Sequence, residues 1–371
     1  MNLCILSMQR VENFGSLLQS YSLKRILEQQ GHTVSFIDIE PRAEDDKLLD
    51  GSVMHFADTP ASASLWGKLK KIDKYFFTRL CNKYAGKQQL KKFEKFRQEV
   101  LGVCKKSNYD YFDCCIIGSD EVFNGLQNAK WGFTSQLYGD VKQADKVITY
   151  AASCGGTILE QMPPKAAQRV QEAFENVSAF SVRDENTKNF TEALTNRAVQ
   201  MHMDPVVVAD FSAELEQAIL PTDLPQRYCL VYAYPNRINR EEDIALIKRF
   251  CNTHDLKLVS VGGTQMWIDR HLVLEPFEML KVFQNATFVI TDTFHGTIFS
   301  AKYAKRFAVM TRPSNENKLR DLIRKLNLER HWIKSLNQLE SVYEYEHNPE
   351  DTEILAKRER IRTEQYLKDN V

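Results

Sequence analysis

The sequence predicts an α/β fold of two Rossmann-like domains that face each other across a cleft. Its 371 residues exceed what one typical hydrophobic core holds and suit two domains of ordinary size. Short apolar runs typical of buried strands alternate with helical patterns, which favours parallel sheets with helices on their faces. Each apolar run ends in a glycine or a polar cluster. These clusters should therefore meet at the carboxyl edge of a sheet, where open α/β sheets bind ligands.

The predicted N-terminal domain, residues 1–220, begins with a βαβ unit. Its parts are a strand "LCILSM", an amphipathic helix "SLLQSYSLKRILEQQG" with Gly31 at the C′ position, and a strand "HTVSFIDIE". Such a unit implies a parallel sheet with a right-handed crossover. The sheet is expected to resume at residues 112–124, 146–155, 177–190 and 199–208, with a helix over 163–176.

A charged, aromatic-rich segment, about residues 43–103, interrupts this alternation and is predicted to be a helical insertion on the first domain. Lys and Arg are frequent in residues 68–97. The ordinary interpretation of such a run is a solvated helical face. The alternative is a basic surface that approaches an anionic membrane or a lipid-linked diphosphate.

The predicted C-terminal domain, residues 221–345, opens after the linker "PTDLPQ". Three apolar strands, "YCLVYAY", "LKLVSVGG" and "TFVITD", alternate there with amphipathic helices. Residues 346–371 are charged and predict a helical tail. The second domain is therefore expected to carry its own parallel sheet.

Composition limits the class of protein. Lys plus Arg and Asp plus Glu number 49 each, so no overall positive field argues for nucleic-acid binding. The eight cysteines form no CxxC pair, and several lie in apolar runs, where cysteine acts as a small hydrophobe. No secretory signal pattern or membrane-spanning run is evident. We expect a cytoplasmic protein without metal or disulfides, associated at most peripherally with the inner face of the membrane.

The stretch "VITDTFHGTIFS" is the strongest candidate site. An apolar strand ends there, and a helix begins beside His295, Gly296 and Thr297. A helix start at the carboxyl edge of a sheet attracts phosphate or carboxylate, and glycine permits a close approach. His295 could act as an acid or a base. A plain helix cap with an incidental histidine is the alternative.

Other strand ends carry further candidates. In the first domain, "GSDEVFN" supplies Ser119, Asp120 and Asn124, and "NFGSLLQ" supplies Gly15 and Ser16 at a helix start. Arginine binds anionic oxygens with a two-pronged geometry, which makes two further segments relevant. "SVRDENT" places Arg183 past a strand, where a salt bridge to Asp184 or Glu185 is the alternative. "TRPSNENKL" supplies Arg312, Asn315 and Lys318, for which a solvated loop and helix face is the alternative.

Taken in order, these segments resemble the polysaccharide pyruvyl transferase family. The family's opening pattern of the type NYG-x-x-LQ is similar to "NFGSLLQ" here, and its GSDQ signature is similar to "GSDE". "YAASCG", "SVRDENT" and "MDPVVV" resemble further family segments, and the family's TDSFHGT stretch is close to "TDTFHGT". The resemblance covers residues 2–330, which includes both predicted domains.

The resemblance implies a GT-B-like pair of domains and an enzyme that uses phosphoenolpyruvate. Members of the family form a pyruvate ketal on a sugar diol of a bacterial surface glycan, such as capsule or exopolysaccharide, or of its lipid-linked precursor. Carried over, the donor would bind on the second domain at His295, Gly296 and Thr297, with Arg183, Arg312, Asn315 and Lys318 nearby. The acceptor would face Asn13, Gly15, Ser16, Ser119, Asp120 and Asn124. His295 and Asp120 would be the catalytic acid or base groups, without a metal or cofactor.

Two other classes of function stay open on the sequence. A GT-B-like glycosyltransferase that uses a nucleotide sugar would need a carboxylate for the ribose, and Glu275 is a candidate. A non-catalytic glycan-binding module would keep the scaffold and lose the cationic donor residues. Arg183, His295 and Lys318 are all present, which favours the enzyme.

Overall fold

The computed structural model describes residues 1–40, 46, 76–103, 110–125, 132–312 and 315–371. Most of the predicted insertion before residue 76 therefore lies outside the described residues. The strands are β1 (Asn2–Leu6), β2 (Thr33–Phe36), β3 (Phe112–Asp120), β4 (Ala144–Ala152), β5 (Val177–Ala179), β6 (Ser181–Val182), β7 (Gln200–Met201), β8 (Tyr228–Ala233), β9 (Lys257–Gly262), β10 (Phe288–Thr291), β11 (Phe307–Met310) and β12 (Trp332–Ile333).

The helices connect these strands and cover the sheets. They are α1 (Phe14–Gln29), α2 (Phe76–Phe96), α3 (Pro164–Phe174), α4 (Glu185–Thr195), α5 (Pro205–Val208), α6 (Ser212–Gln217), α7 (Glu241–Thr253), α8 (Pro276–Asn285), α9 (Phe294–Tyr303), α10 (Glu316–Lys325), α11 (Leu339–Tyr343) and α12 (Pro349–Asn370). Among the described residues, no helix is both long enough and apolar enough to span a bilayer.

The chain divides into two compact units. The first unit contains the described residues of Met1–Asp58, Arg97–Ala209 and Leu355–Val371, and the second those of Thr59–Phe96 and Asp210–Ile354. In the first unit the sheet order is β2-β1-β3-β4-β6-β7, with β5 also paired to β4. In the second unit the order is β12-β11-β10-β8-β9. All of these pairings are parallel, which confirms the predicted α/β class.

Each sheet has its own hydrophobic core. Val147, Phe174 and Phe123 are among the side chains buried in the first unit. Phe250, Phe288 and other apolar side chains are buried in the second. A chain of 371 residues would need an unusually large single core, and two sheets with separate cores avoid this.

The two units differ from the predicted boundaries at α2. The sequence placed the basic helical segment on the first domain, whereas α2 groups with the second unit. Gln89 donates from Nε2 to the carbonyl of Leu274 at 2.8 Å and accepts from its backbone nitrogen at 3.0 Å. Phe96 packs edge-on against Phe277, with ring centroids 5.4 Å apart. These contacts hold α2 on α8 of the second unit.

The helical tail that the sequence predicts over residues 346–371 is helix α12, and its residues from Leu355 onward belong to the first unit. Tyr366 donates its hydroxyl to the carbonyl of Thr149 at 2.9 Å. The hydroxyls of Tyr150 and Thr363 lie 3.0 Å apart. Tyr366 and Thr363 are buried, so the C-terminal part of α12 packs into the first unit.

The segment 199–208 was predicted to be a strand throughout, and this is wrong for its second half. Only Gln200–Met201 is a strand, and Pro205–Val208 forms a helical turn. The carboxylate of Asp204 accepts from the backbone nitrogen of Val206 at 3.0 Å. An aspartate cap followed by proline at the first helical position favours a helix start, so local capping overrides the apolar run.

Candidate functional site

The turn from β10 to α9 is a capped helix start at the carboxyl edge of the second sheet. Thr293 is the N-cap, and its Oγ1 accepts from the backbone nitrogen of Gly296 at 3.0 Å. The hydroxyl of Thr297 donates to the carbonyl of Thr293 at 2.9 Å. The polar groups of Gly296 and Thr297 thus help to form the helix start. Their predicted contact with a donor stays a prediction.

Gly296 has a steric reason to be glycine. A Cβ at this position would lie 2.5 Å from Thr293 Oγ1 and 2.7 Å from Tyr232 Cδ1, and closer still to Thr291 Oγ1. Real Cβ atoms essentially never approach other atoms within 3.0 Å. The glycine therefore lets the first turn of α9 pack directly onto β8 and β10.

His295 is the second residue of α9 and is partly exposed. Its ring centroid lies 5.4 Å from that of Phe294 and 6.3 Å from that of Phe299. Two aromatic rings therefore flank one part of the imidazole. The residue is partly exposed, although its Nε2 atom is buried.

Asp292, directly after β10, is the centre of an ionic cluster. Its side chain is 0% exposed, and Oδ2 lies 2.6 Å from Arg312 Nε and 3.4 Å from Arg237 Nε. Arg312 also donates from NH2 to the carbonyl of Arg237 at 2.9 Å. A buried carboxylate needs paired cations, and here two arginines supply them.

Asn315 joins this cluster from the start of α10. Its Nδ2 donates to the carbonyl of Asp292 at 2.7 Å, and its Oδ1 accepts from the backbone nitrogen of Arg312 at 2.8 Å. Lys318 follows in the first turn of α10 and is partly exposed. The structure thus places Arg312, Asn315 and Lys318 after β11, next to the strand that leads to His295.

Arg237 is a residue that the sequence analysis missed. It follows β8, which pairs with β10 on the side opposite β11. Its guanidinium lies over the ring of Tyr234, with 5.0 Å from Cζ to the ring centroid. The signal was present, because "YPNR" is a polar cluster past an apolar strand, the same pattern that identified Arg312.

The first unit carries a second polar cluster at the ends of β3 and β6. Asp120 Oδ2 accepts from the hydroxyl of Ser16 at 2.7 Å. The backbone nitrogen of Ser16 donates to Asn13 Oδ1, also at 2.7 Å, and Asn13 caps α1. Gly15 is buried in the first turn of that helix. The predicted acceptor residues Asn13, Gly15, Ser16 and Asp120 are therefore neighbours.

Arg183 belongs to this first-unit cluster. Its NH1 donates to Asp204 Oδ2 at 2.8 Å, and its NH2 lies 3.5 Å from Asp120 Oδ1. Burial alone would lower the pKa of Arg183, but the charges of Asp120 and Asp204 outweigh it and raise the pKa above its usual value. Ser119 also donates to Asp204, at 3.3 Å. The structure groups Arg183 with the predicted acceptor residues, and its role in donor binding stays a prediction.

Asn124 lies in the loop after β3. Its Nδ2 donates to Glu121 Oε2 at 2.8 Å, and its Oδ1 accepts from the hydroxyl of Thr157 at 3.0 Å. Gly155 packs against this pair so closely that a Cβ would lie 2.8 Å from Asn124 Nδ2. Asn124 is therefore held in one orientation beside the end of β3.

Glu275, the candidate ribose ligand of the glycosyltransferase alternative, has a structural role. It is the N-cap of α8 in a capping box with Glu278, whose Oε2 accepts from the backbone nitrogen of Glu275 at 2.8 Å. It also lies 3.3 Å from Lys95 of α2. Capping and ion pairing account for this carboxylate without a nucleotide.

Two α/β units, each with a parallel sheet, define an α/β protein, and the sheet of the second unit carries a histidine and two arginines at its carboxyl edge. The sequence model of the family described as polysaccharide pyruvyl transferase matches residues 13–315, and the chain belongs to this family. The search of curated proteins found no match.

Several solved structures are similar over the whole chain. The UDP-GlcNAc 2-epimerase of Methanocaldococcus jannaschii is 13% identical, with a TM-score of 0.47, covering 99% of this chain and 100% of that one. The UDP-N-acetylglucosamine 2-epimerase of Rickettsia bellii is 11% identical, with a TM-score of 0.48 and coverages of 100% and 99%. The glycotransferase of kitacinnamycin is 12% identical, with a TM-score of 0.45 and coverages of 100% and 98%. Similarity at this level says nothing about activity.

Proposed function

We propose that the protein transfers the pyruvyl group of phosphoenolpyruvate to a sugar diol and forms a ketal. The acceptor would be a bacterial surface polysaccharide, such as capsule or exopolysaccharide, or its lipid-linked precursor. The observation that carries this proposal is the fixed arrangement of Asp292, Arg312 and Asn315 beside the helix start with His295, in a chain of the pyruvyl transferase family.

The proposed donor accounts for an anion site at the carboxyl edge of the second sheet. Phosphoenolpyruvate carries a phosphate and a carboxylate, and both groups favour arginine and the positive end of a helix. Arg312 is held by the buried Asp292 while 30% of its side chain is exposed. An arginine fixed in this way loses little conformational freedom when it binds an anionic oxygen.

The reaction can be written with His295 as the acid or base. A proton adds to C3 of the enol, and one sugar hydroxyl adds to the cation at C2 and loses its proton. Phosphate then leaves with its bonding electrons, and the second hydroxyl adds to the resulting cation and loses its proton. The products are the ketal and inorganic phosphate. No step in this scheme calls for a metal ion or cofactor. His295 would donate the first proton or stabilise the departing phosphate.

The acceptor would bind to the polar residues of the first unit. Asp120 is the candidate base for a sugar hydroxyl, and Asn13, Ser16 and Asn124 would donate or accept hydrogen bonds from the sugar. Asn13, Ser16 and Asp120 are joined by the hydrogen bonds described above, and Asn124 is held by Glu121 and Thr157, which would keep these residues oriented. A lipid-linked acceptor would bring the protein to the inner face of the membrane as a peripheral protein.

The test is the release of phosphate from phosphoenolpyruvate, with and without galactose-, mannose- and N-acetylhexosamine-terminated lipid-linked acceptors. We expect release that depends on one acceptor class and falls by about 100- to 10,000-fold in His295→Gln, the range for loss of a general acid or base. His254→Gln is the matched control, because His254 lies in the same unit and pairs with Glu340 at 2.7 Å.

Three results would contradict the proposal in different ways. Full turnover of His295→Gln with an unchanged pH profile would remove the catalytic role of His295. Release of phosphate without any acceptor dependence would remove the transfer step. No release with any acceptor, together with thermal stabilisation by a nucleotide sugar and not by phosphoenolpyruvate, would favour a glycosyltransferase.

A further inference from the structure

Helix α2 is anchored by one face to the second unit. Gln89 bonds to the backbone of Leu274, as described above, and Lys92 pairs with Glu278 at 3.1 Å. Phe93, on the same side of the helix, is buried. These contacts fix which face of α2 is directed away from the unit.

The opposite face carries a row of three exposed lysines. Lys83, Lys87 and Lys91 follow one another at intervals of four residues, so they lie above one another on successive turns. None of the three forms an ion pair within the part of the chain that the structure describes. Glu94 is the only acidic residue in the sequence of α2, and it is partly buried.

Two large apolar side chains lie among these lysines. Tyr84 is 67% exposed and Leu90 is 41% exposed. Since successive helical residues are about 100° apart, both project within the same arc of about 120° as the lysines. We call this surface the basic face of α2, and it consists of Lys83, Tyr84, Lys87, Leu90 and Lys91.

A solvated helical face does not account well for this pattern. Like charges four residues apart destabilise a helix, and an exposed helix usually alternates lysine with glutamate for that reason. The exposed Leu90 adds nothing to the stability of such a face. The pattern is favourable when a negatively charged surface meets the lysines and an apolar layer behind that surface receives Tyr84 and Leu90.

We propose that the basic face of α2 binds the surface of an anionic phospholipid bilayer. The lysines contact lipid phosphates, and Tyr84 and Leu90 enter the headgroup region, where tyrosine is enriched and where amphipathic basic helices bind. A nucleic acid would meet the lysines but offers no apolar layer for an aliphatic side chain such as Leu90. The proposal does not need the reaction proposed above, because binding to lipid is measured without turnover.

The first experiment removes the three lysine charges together. The full-length protein is sedimented with vesicles of phosphatidylcholine alone, or of phosphatidylcholine and phosphatidylglycerol in equal parts. The variant replaces Lys83, Lys87 and Lys91 by glutamine. A matched control makes the same change of net charge at three exposed lysines elsewhere, Lys165, Lys248 and Lys334. Thermal unfolding of each variant shows that it is folded.

We expect the wild type to bind the mixed vesicles and not the neutral ones. Each lysine near an anionic bilayer strengthens binding about fivefold, so loss of the three lysines of α2 weakens it by about 100-fold, while the control variant binds as the wild type does. Added salt weakens binding of the wild type, because the contacts are between exposed charges.

A second variant tests the apolar contribution. Tyr84→Ser combined with Leu90→Gln keeps every lysine and should weaken binding to the mixed vesicles by about 10-fold, since the apolar area removed from water is lost. Unchanged binding by this variant would mean that the lysines attract any polyanion, and the assignment to a bilayer would fail.

The outcomes separate this proposal from the proposed function. If the wild type binds neutral and mixed vesicles equally, or if the lysine variant of α2 binds as its control does, the membrane surface is overturned. If binding depends on α2 but no acceptor supports phosphate release from phosphoenolpyruvate, the membrane surface stands and the proposed function fails. Acceptor-dependent release without any vesicle binding would give the reverse result.

Discussion

Gly296→Ala adds a single methyl group at the most crowded point of the β10–α9 turn. The new Cβ would approach Thr293 Oγ1 to 2.5 Å and Tyr232 Cδ1 to 2.7 Å, with Thr291 Oγ1 closer still. None of these neighbours can move cheaply. Thr293 caps the helix, and Tyr232 is buried with its ring 5.3 Å from that of Phe283.

The expected effect follows from three contributions. Overpacking a close-packed site costs about 1–3 kcal/mol. Distorting the Thr293 cap costs about 0.5–2 kcal/mol, because the bond to the backbone nitrogen of Gly296 weakens. The gain from replacing glycine in a helix is at most about 1 kcal/mol. We therefore expect Gly296→Ala to lower the free energy of unfolding by about 2–3 kcal/mol.

Urea unfolding followed by tryptophan fluorescence measures this difference, and Gly86→Ala is the control. Gly86 is also helical, within Phe76–Phe96, and a Cβ there would meet nothing within 4 Å. Gly86→Ala should raise the free energy of unfolding by about 0.5–1 kcal/mol. If Gly296→Ala is as stable as the wild type, or gains stability as Gly86→Ala does, the crowding argument is refuted.

Two further predictions concern buried charge. Arg183→Met removes the guanidinium that pairs with the buried Asp204 and should lower the free energy of unfolding by about 3–5 kcal/mol, while Arg358→Met, at a position 71% exposed, should change it little; equal stability of the two variants in urea would contradict this. Burial lowers the pKa of His331 to about 4, and its Nδ1 donates to the carbonyl of Phe307. The unfolded state then binds more protons than the folded state between pH 6.5 and pH 4. The free energy of unfolding therefore decreases as the pH is lowered through that window, and this group contributes a loss of about 2 kcal/mol from pH 7.5 to pH 5. His331→Gln should reduce the measured pH difference by that amount, and an unchanged difference would show that another group is responsible.

The candidate site of the second unit was largely predictable from strand ends. A parallel sheet brings the carboxyl ends of its strands to one edge, so the cluster after "TFVITD" and the segment "TRPSNENKL" had to be close if both followed strands. That reasoning placed His295, Arg312 and Asn315 together. Arg237 follows β8 in the same pattern, in the polar cluster "YPNR", but the sequence analysis did not single it out. Only the strand order β11-β10-β8 reveals that Arg237 and Arg312 flank the same carboxylate.

The grouping of Arg183 could not be obtained from local sequence. Asp184 follows it directly and was the obvious partner. In the structure, however, Asp184 is the N-cap of α4 and accepts from the backbone nitrogen of Thr187 at 2.9 Å. Arg183 instead donates to Asp204, which lies 21 residues later in the chain, and it also lies 3.5 Å from Asp120. A carboxylate that already caps a helix, as Asp184 does, is less available to a neighbouring arginine. The sequence alone does not show which carboxylate has this capping role.

Asp292 holds the neighbouring polar residues of the second unit in place, although its own carboxylate is buried. Its side chain orients Arg237 and Arg312, and its backbone carbonyl holds Asn315. These three residues come from the segments after the two strands that pair with β10. The fold therefore gathers polar and charged groups from neighbouring strand ends around one buried residue directly after β10. The motif at residues 289–297 thus supplies both the supporting carboxylate and the histidine, and the two guanidinium groups come from the strand ends on either side of it.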